Sequence, residues 1–146
     1  MSGFVRNFLL IVFTFNCPLL LAADENQVNF KDYTIHFNAF PSEHLQPNIA
    51  KAVGIERDSS RAVVTVVINK NDDLLKQKSV KANVNGNAFN LSGMMRRMKL
   101  REVNDRGAIY YISDFGVRDG ERLTFAMSVK PDGETQKKEF KFNKKF

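Results

Sequence analysis

The sequence predicts an all-β fold, an antiparallel β-sandwich of immunoglobulin-like architecture with about 7–8 strands and one short docked helix. A partly open β-barrel is the alternative. Three observations point there. Apolar side chains recur at every second position in short runs, as in strands with one buried face. Gly, Asn, Asp and Pro turns separate these runs at spacings of roughly 8–15 residues. Only one segment carries the start and stop signals of a helix.

The N-terminus reads as an address. Arg6 supplies a small positive region, Phe8–Phe15 (F-L-L-I-V-F-T-F) is mostly apolar, and L-L-L-A-A after Pro18 ends in the small residues Ala22 and Ala23. This is the layout of a secretory signal peptide. Residues 1–23 are assigned to it, with cleavage after Ala23, and residues 24–146 to a single β-sandwich domain. A membrane span needs about 20 apolar residues, so no transmembrane segment is expected in the mature chain. The one cysteine, Cys17, leaves with the leader. What remains has no disulfide, no thiolate metal site and no thiol nucleophile. Export without disulfides fits a bacterial periplasm. The whole chain carries a formal net charge of +6. In that compartment nucleic acid is not an expected partner, whereas anionic envelope components and acidic proteins are.

The first strand is set by Tyr33, Ile35 and Phe37, which alternate with Thr34, His36 and Asn38. Pro41 and Ser42 stop it. L-Q-P-N-I-A-K-A-V-G-I then predicts a two-turn helix: Pro47 suits the first helical position, Leu45 is a staple for Ala50, and Gly54 suits the left-handed position after the last turn. Ile49 and Val53 share the face expected to dock. Arg61–Asn69 (R-A-V-V-T-V-V-I-N) reads as a central strand, ended by Asn71-Asp72-Asp73. Val80, Ala82 and Val84 alternate up to Asn85-Gly86-Asn87, a tight-turn signal, followed by a short strand around Ala88–Leu91. Met94–Arg101 (M-M-R-R-M-K-L-R) alternates as a single strand. Asn104–Gly107 turns into the strand Ala108–Phe115. Arg118–Gly120 leads into Leu123, Phe125 and Met127, and Pro131–Gly133 into Phe140 and Phe142.

The candidate functional residues are few. His36 and His44, the only histidines, lie eight residues apart. His36 falls on the strand face opposite Ile35 and Phe37, and His44 in the loop before the helix. No H-x-H or H-E-x-x-H spacing supports them and no thiolate is left to complete a zinc site, so no metal and no cofactor is expected. No serine sits in G-x-S-x-G or S-x-x-K, so no catalytic set is assigned. The basic strand is the stronger signal. Arg97, Lys99 and Arg101 occupy alternate positions and would form a cationic row spaced about 6.5–7 Å. Lys137, Lys141 and Lys145 form a second row, diluted by Glu139. Of the adjacent Tyr110 and Tyr111, one should face the core and the other the surface, and Tyr111 is taken as a contact anchor beside the basic row. Cations on an outer strand also protect its edge from aggregation.

Three segments carry a family resemblance: D-Y-T-I-H-F-N-A-F from Asp32, L-Q-P-N-I-A-K-A-V-G-I-E-R from Leu45 and A-I-Y-Y-I-S-D-F from Ala108. Together they resemble a family of short exported proteins of Gram-negative bacteria known as a domain of unknown function. The resemblance spans essentially the whole mature chain. It implies an exported single domain and assigns no activity. Members often carry a serine after the Arg of G-I-x-R, and here Asp58 follows Arg57, which removes a hydroxyl from that position. In such an organism the N-L-S match at Asn90–Ser92 to a glycosylation acceptor is coincidental. The expected function is that of a non-catalytic binding or accessory module of the cell envelope, contacting an anionic or protein partner through the basic strand face. The alternative is a small hydrolase-like periplasmic enzyme using the His36 region.

Overall fold

The computed structural model describes residues 26–71 and 78–146. The leader assigned to residues 1–23, its cleavage site, Cys17 and the Asp72-Asp73 strand end lie outside the described residues. Those described form ten strands. They are β1 (Gln27–Phe30), β2 (Tyr33–Pro41), β3 (Arg61–Lys70), β4 (Lys78–Ser79), β5 (Ala82–Asn90), β6 (Met95–Met98), β7 (Arg101–Asp105), β8 (Ala108–Gly116), β9 (Arg122–Pro131) and β10 (Lys138–Lys145). All pairings are antiparallel. One sheet has the order β1-β2-β3-β8-β7, with β4 on the end of β3, and the other the order β10-β9-β5-β6. The chain is therefore a two-sheet β-sandwich, as the alternation predicts, and not a closed barrel.

The core is the space between the sheets. Ile35, Val64, Val66 and Ile68 from the first sheet and Leu123, Phe125 and Val129 from the second are completely buried. Phenylalanines bridge the two layers. Phe37 stacks on Phe142 at 4.5 Å and on Phe140 at 4.9 Å, and Phe142 lies parallel to Phe125 at 4.6 Å. Phe115 meets Phe125 edge-on at 5.6 Å. Such ring pairs add about 0.5–1.5 kcal/mol each beyond their buried area.

A smaller core lies on the outer surface of the first sheet. The helix α1 (Pro47–Val53) is followed by Gly54 at φ 66°, whose N–H donates to the Lys51 carbonyl while Ile55 N–H donates to Ala50. This is the expected left-handed stop. Ile55 then packs with Val63 and Ile112, supported by Leu45, Val53 and Tyr110. The docking face is not quite the expected one: Ala50 is buried, whereas Ile49 is 38% exposed.

Several elements differ from the sequence reading. Asn85-Gly86-Asn87 makes no turn, because β5 runs straight through it. Gly86 faces inward, and a Cβ there would lie 2.6 Å from both the Met127 sulfur and the Met98 methyl. The glycine makes room for two buried methionines. The actual hairpin tip comes later, between Asn90 and Met94. The second difference is the Met94–Arg101 strand, which is two strands. β6 pairs with β5 in the second sheet and β7 with β8 in the first, with the crossover at Lys99-Leu100. Ahead of the first strand that the alternation predicts, Gln27–Phe30 also forms β1, paired along β2. Asn104–Gly107, by contrast, turns as expected, with Arg106 and Gly107 at φ 51° and 87°, the two left-handed positions of a tight hairpin.

The Gly86→Ala substitution should lower stability by about 1–3 kcal/mol through overpacking. Urea unfolding followed by circular dichroism measures it; an unchanged midpoint would mean the methionines move aside freely.

Candidate functional site

The crossover at Lys99-Leu100 breaks the predicted cationic row. Arg97 lies exposed on β6 in the second sheet, Lys99 is exposed in the link, and Arg101 is on β7 in the first sheet. Arg101 has a structural task there. Its guanidinium donates to the Val53 carbonyl at the end of α1, and it sits 3.8 Å from Asp114. Asp114 also accepts a hydrogen bond from Arg61. That bond, more than any other influence, holds the Arg61 guanidinium above its ordinary pKa. Arg101 thus joins α1 to β8 and is committed to the fold.

Tyr111 also differs from its expected placement. It is the inward tyrosine, 5% exposed, and Tyr110 is the outward one, covered by the helix cluster. The Tyr111 hydroxyl accepts the Ala82 N–H at 2.8 Å, and burial pushes the phenol pKa up. It ties the start of β5 to the first sheet and is no surface anchor. A Tyr111→Phe variant leaves that N–H without its acceptor and should cost about 1–3 kcal/mol, readable as a lower thermal midpoint.

The histidines lie apart. His36 pairs with Gln27 and Val67 in the middle of β2, while His44 is exposed on the turn Ser42–His44 beyond its end. The strand from His36 to Pro41 alone spans roughly 17 Å. His36 is half-buried, with its Nε2 enclosed and unpartnered among the described residues. No three His, Cys, Asp or Glu side chains group to hold a metal ion among the described residues.

What the fold does assemble is the outer face of the second sheet. Inward residues of β5 alternate with Asn83, Asn85, Asn87 and Phe89, which therefore form one outward row. Register aligns Asn87 with Arg97 on one side and Ala126 on the other, and Ala126 with Lys141 beyond it. Lys130 lies beside Asn83, and Lys145 beside Arg122. Because Ala126 is small, the face dips there. A depression of about 360 Å³ lies between Asn87, Ser128, Glu139 and Lys141, and one of about 290 Å³ between Asn85, Asn87 and Arg97. Glu139 is paired with Lys137 at 2.7 Å, which lowers its pKa and leaves Lys141 as the cation of the dip. Neither histidine lines these depressions. Amide donors flanked by cations suit oxyanions such as phosphate, sulfate or carboxylate.

Sequence reasoning missed this face because it credited Asn85-Gly86-Asn87 to a turn. The Asn83-Asn85-Asn87 alternation was the available signal.

At one end of this sheet a paired charge is half-hidden. Arg96 meets Glu121 at 2.7 Å, and their side chains are 23% and 12% exposed. Glu121 also accepts the Arg118 N–H at 2.9 Å. Arg96 is the main cause of the lowered Glu121 pKa, with the Arg118 N–H adding to it. A depressed carboxylate pKa stabilises the fold above the ordinary value of 4.5 and loses that contribution as pH falls through the folded value. Glu121→Gln should therefore lower stability at pH 7 by about 1–3 kcal/mol, and the gap to wild type should close in acid. Denaturant titrations at both pH values check this.

Residues 27–146 match the model of a family described as a domain of unknown function, DUF4426. A crystal structure of a DUF4426 family protein from Pseudomonas aeruginosa PAO1 is 34% identical, with a TM-score of 0.72, covering 85% of this chain and 97% of that one. Two structures of FetP from uropathogenic Escherichia coli strain F11 share the fold at low identity. One is a copper-bound variant, 6% identical with a TM-score of 0.57, covering 82% of this chain and 93% of that one. The other was recombinantly expressed in the periplasm of E. coli; it is 8% identical with a TM-score of 0.59, covering 82% and 91%. No curated protein matches the chain.

Proposed function

The chain belongs to the DUF4426 family of domains of unknown function, and from that premise we propose that it is an exported, non-catalytic binding or accessory module of the bacterial envelope. It works in the periplasm and contacts an anionic envelope component or an acidic face of an envelope protein. The leader pattern supports the compartment, as does the likeness in fold to FetP, one preparation of which was expressed in the periplasm. No helix among the described residues is long and apolar enough to cross a membrane.

One observation carries the binding reading. The outer face of the first sheet is partly covered by α1, and its cations Arg61 and Arg101 are engaged with Asp114. The outer face of the second sheet has no covering element among the described residues. It presents the Asn83-Asn85-Asn87 row with Arg97 and Lys141 on opposite flanks of Asn87 and Ala126. The contact surface is this face, with Lys99 at its rim. Arg101 and Tyr111 serve the fold instead.

Arg97→Glu with Lys141→Glu should reduce capture of the partner by about tenfold or more, since reversed charges at an interface repel an acidic surface. In-cell crosslinking followed by identification of the captured species checks it. Undiminished capture would move the contact to another surface.

A further inference from the structure

Among the described residues four large apolar side chains are exposed, and three of them share one hairpin. Leu91 is 86% exposed, Met94 58% and Met95 52%, whereas Ile49 stands alone on α1. Leu91 and Met94 lie in the β5–β6 tip, and Met95 begins β6. The fold gains nothing from them there, and clustered exposed apolar groups mark interaction sites.

The tip is also closed by its own hydrogen bonds. Asn90 Oδ1 accepts the N–H groups of Ser92 and Met94, at 3.1 and 2.8 Å, and the Ser92 hydroxyl at 2.8 Å. Gly93 N–H donates to the Asn90 carbonyl at 3.0 Å, and Asn90 N–H to the Met94 carbonyl at 3.2 Å. Gly93, at φ 79°, supplies the left-handed residue this closure requires. The N–H groups of Ser92, Gly93 and Met94 are thus already bonded, and N–H groups satisfied within the loop lower the cost of leaving water for a lipid interface.

Cations stand directly behind the prong. A depression of about 370 Å³ separates the tip from the β8–β9 turn and is lined by Leu91, Ser92, Arg118 and Arg122, with Asp119 and Glu121. Glu121 is engaged by Arg96 and by Arg118 N–H, so Asp119 is the one carboxylate lining it that no described cation pairs. Lys145 lies beside Arg122 at the same end.

We propose that this end of the sandwich docks on an anionic phospholipid surface. Leu91, Met94 and Met95 enter the headgroup–acyl boundary, while Arg118 and Arg122 take lipid phosphates in the depression behind them. A convex apolar prong with a cationic base suits a soft anionic surface better than a small ligand, which would need a concave seat. Long cationic side chains keep their charge at headgroup level while their stems follow the apolar part. The site does not use Arg97 or Lys141, so it stands if the proposed sheet face fails.

The chain contains no tryptophan, so Leu91→Trp makes a single fluorescent reporter in the full-length protein. With phosphatidylglycerol-containing vesicles its emission should shift to the blue and be quenched by brominated acyl chains. Thr135→Trp, beyond the opposite end of β9, should show neither effect. In vesicle flotation, replacing Leu91, Met94 and Met95 together by Ser should weaken binding by about tenfold or more. Arg118→Gln with Arg122→Gln should weaken binding to phosphatidylglycerol but not to phosphatidylcholine, and salt should mimic it. The apolar N-terminal segment is common to every variant, so the differences report the tip, and matched circular dichroism spectra exclude misfolding. The proposal is overturned by a Leu91→Trp signal that ignores lipid or by equal flotation of the triple variant. A lipid-independent blue shift that grows with protein concentration would also overturn it, by making a second copy of the chain the occupant.

Discussion

The burial of one alternating face of each sheet against the other is the constraint on which the rest of this structure depends. Its centre is the stack of Phe37, Phe142 and Phe125, which crosses from one layer to the other. Burying a large apolar side chain is worth about 1.5–3 kcal/mol, and the stack concentrates several such side chains in one place. Everything outside it is secondary. The seven-residue helix α1 is too short to be stable alone and exists because Val63 and Ile112 offer it a surface. That surface exists only because the other sides of β3 and β8 are anchored in the main core.

A sandwich of this size leaves two outer faces, and the chain treats them differently. On one, α1 covers part of the sheet, and the Arg61, Asp114 and Arg101 cluster secures it. On the other, asparagines, a serine, an alanine and cations stand open to solvent. The same residue types therefore carry different meanings. Arg101 is a clamp because a helix end lies within its reach, whereas Arg97, four residues earlier, faces solvent on the other sheet.

The crossover between β6 and β7 shows why the sequence misleads there. In M-M-R-R-M-K-L-R the period of two continues unbroken through the bend at Lys99-Leu100. Met98 is buried in the shared core and Leu100 packs against it. A strand that passes from one layer of a sandwich to the other keeps its inward residues inward. Alternation therefore reports the distance of a side chain from the core and is silent about which sheet holds it. The tyrosine pair fails for a related reason: adjacency says that Tyr110 and Tyr111 point opposite ways, and only the position of β8 between two cores says which way each points.

By itself the sequence determined the all-β class, the inward and outward residues of nearly every strand, the helix with its proline start and glycine stop, and three of the tight turns. These are local properties, set by side-chain period and backbone sterics within a few residues. Only the tertiary structure decided that Asn85-Gly86-Asn87 runs straight, because the glycine's role is to admit Met98 and Met127 from distant strands. It also decided that the cationic row is split between two sheets, that Tyr111 faces inward, and that the open asparagine face lies on the second sheet. Strand partnership is made by hydrogen bonds between residues far apart in the chain, and no local pattern records it.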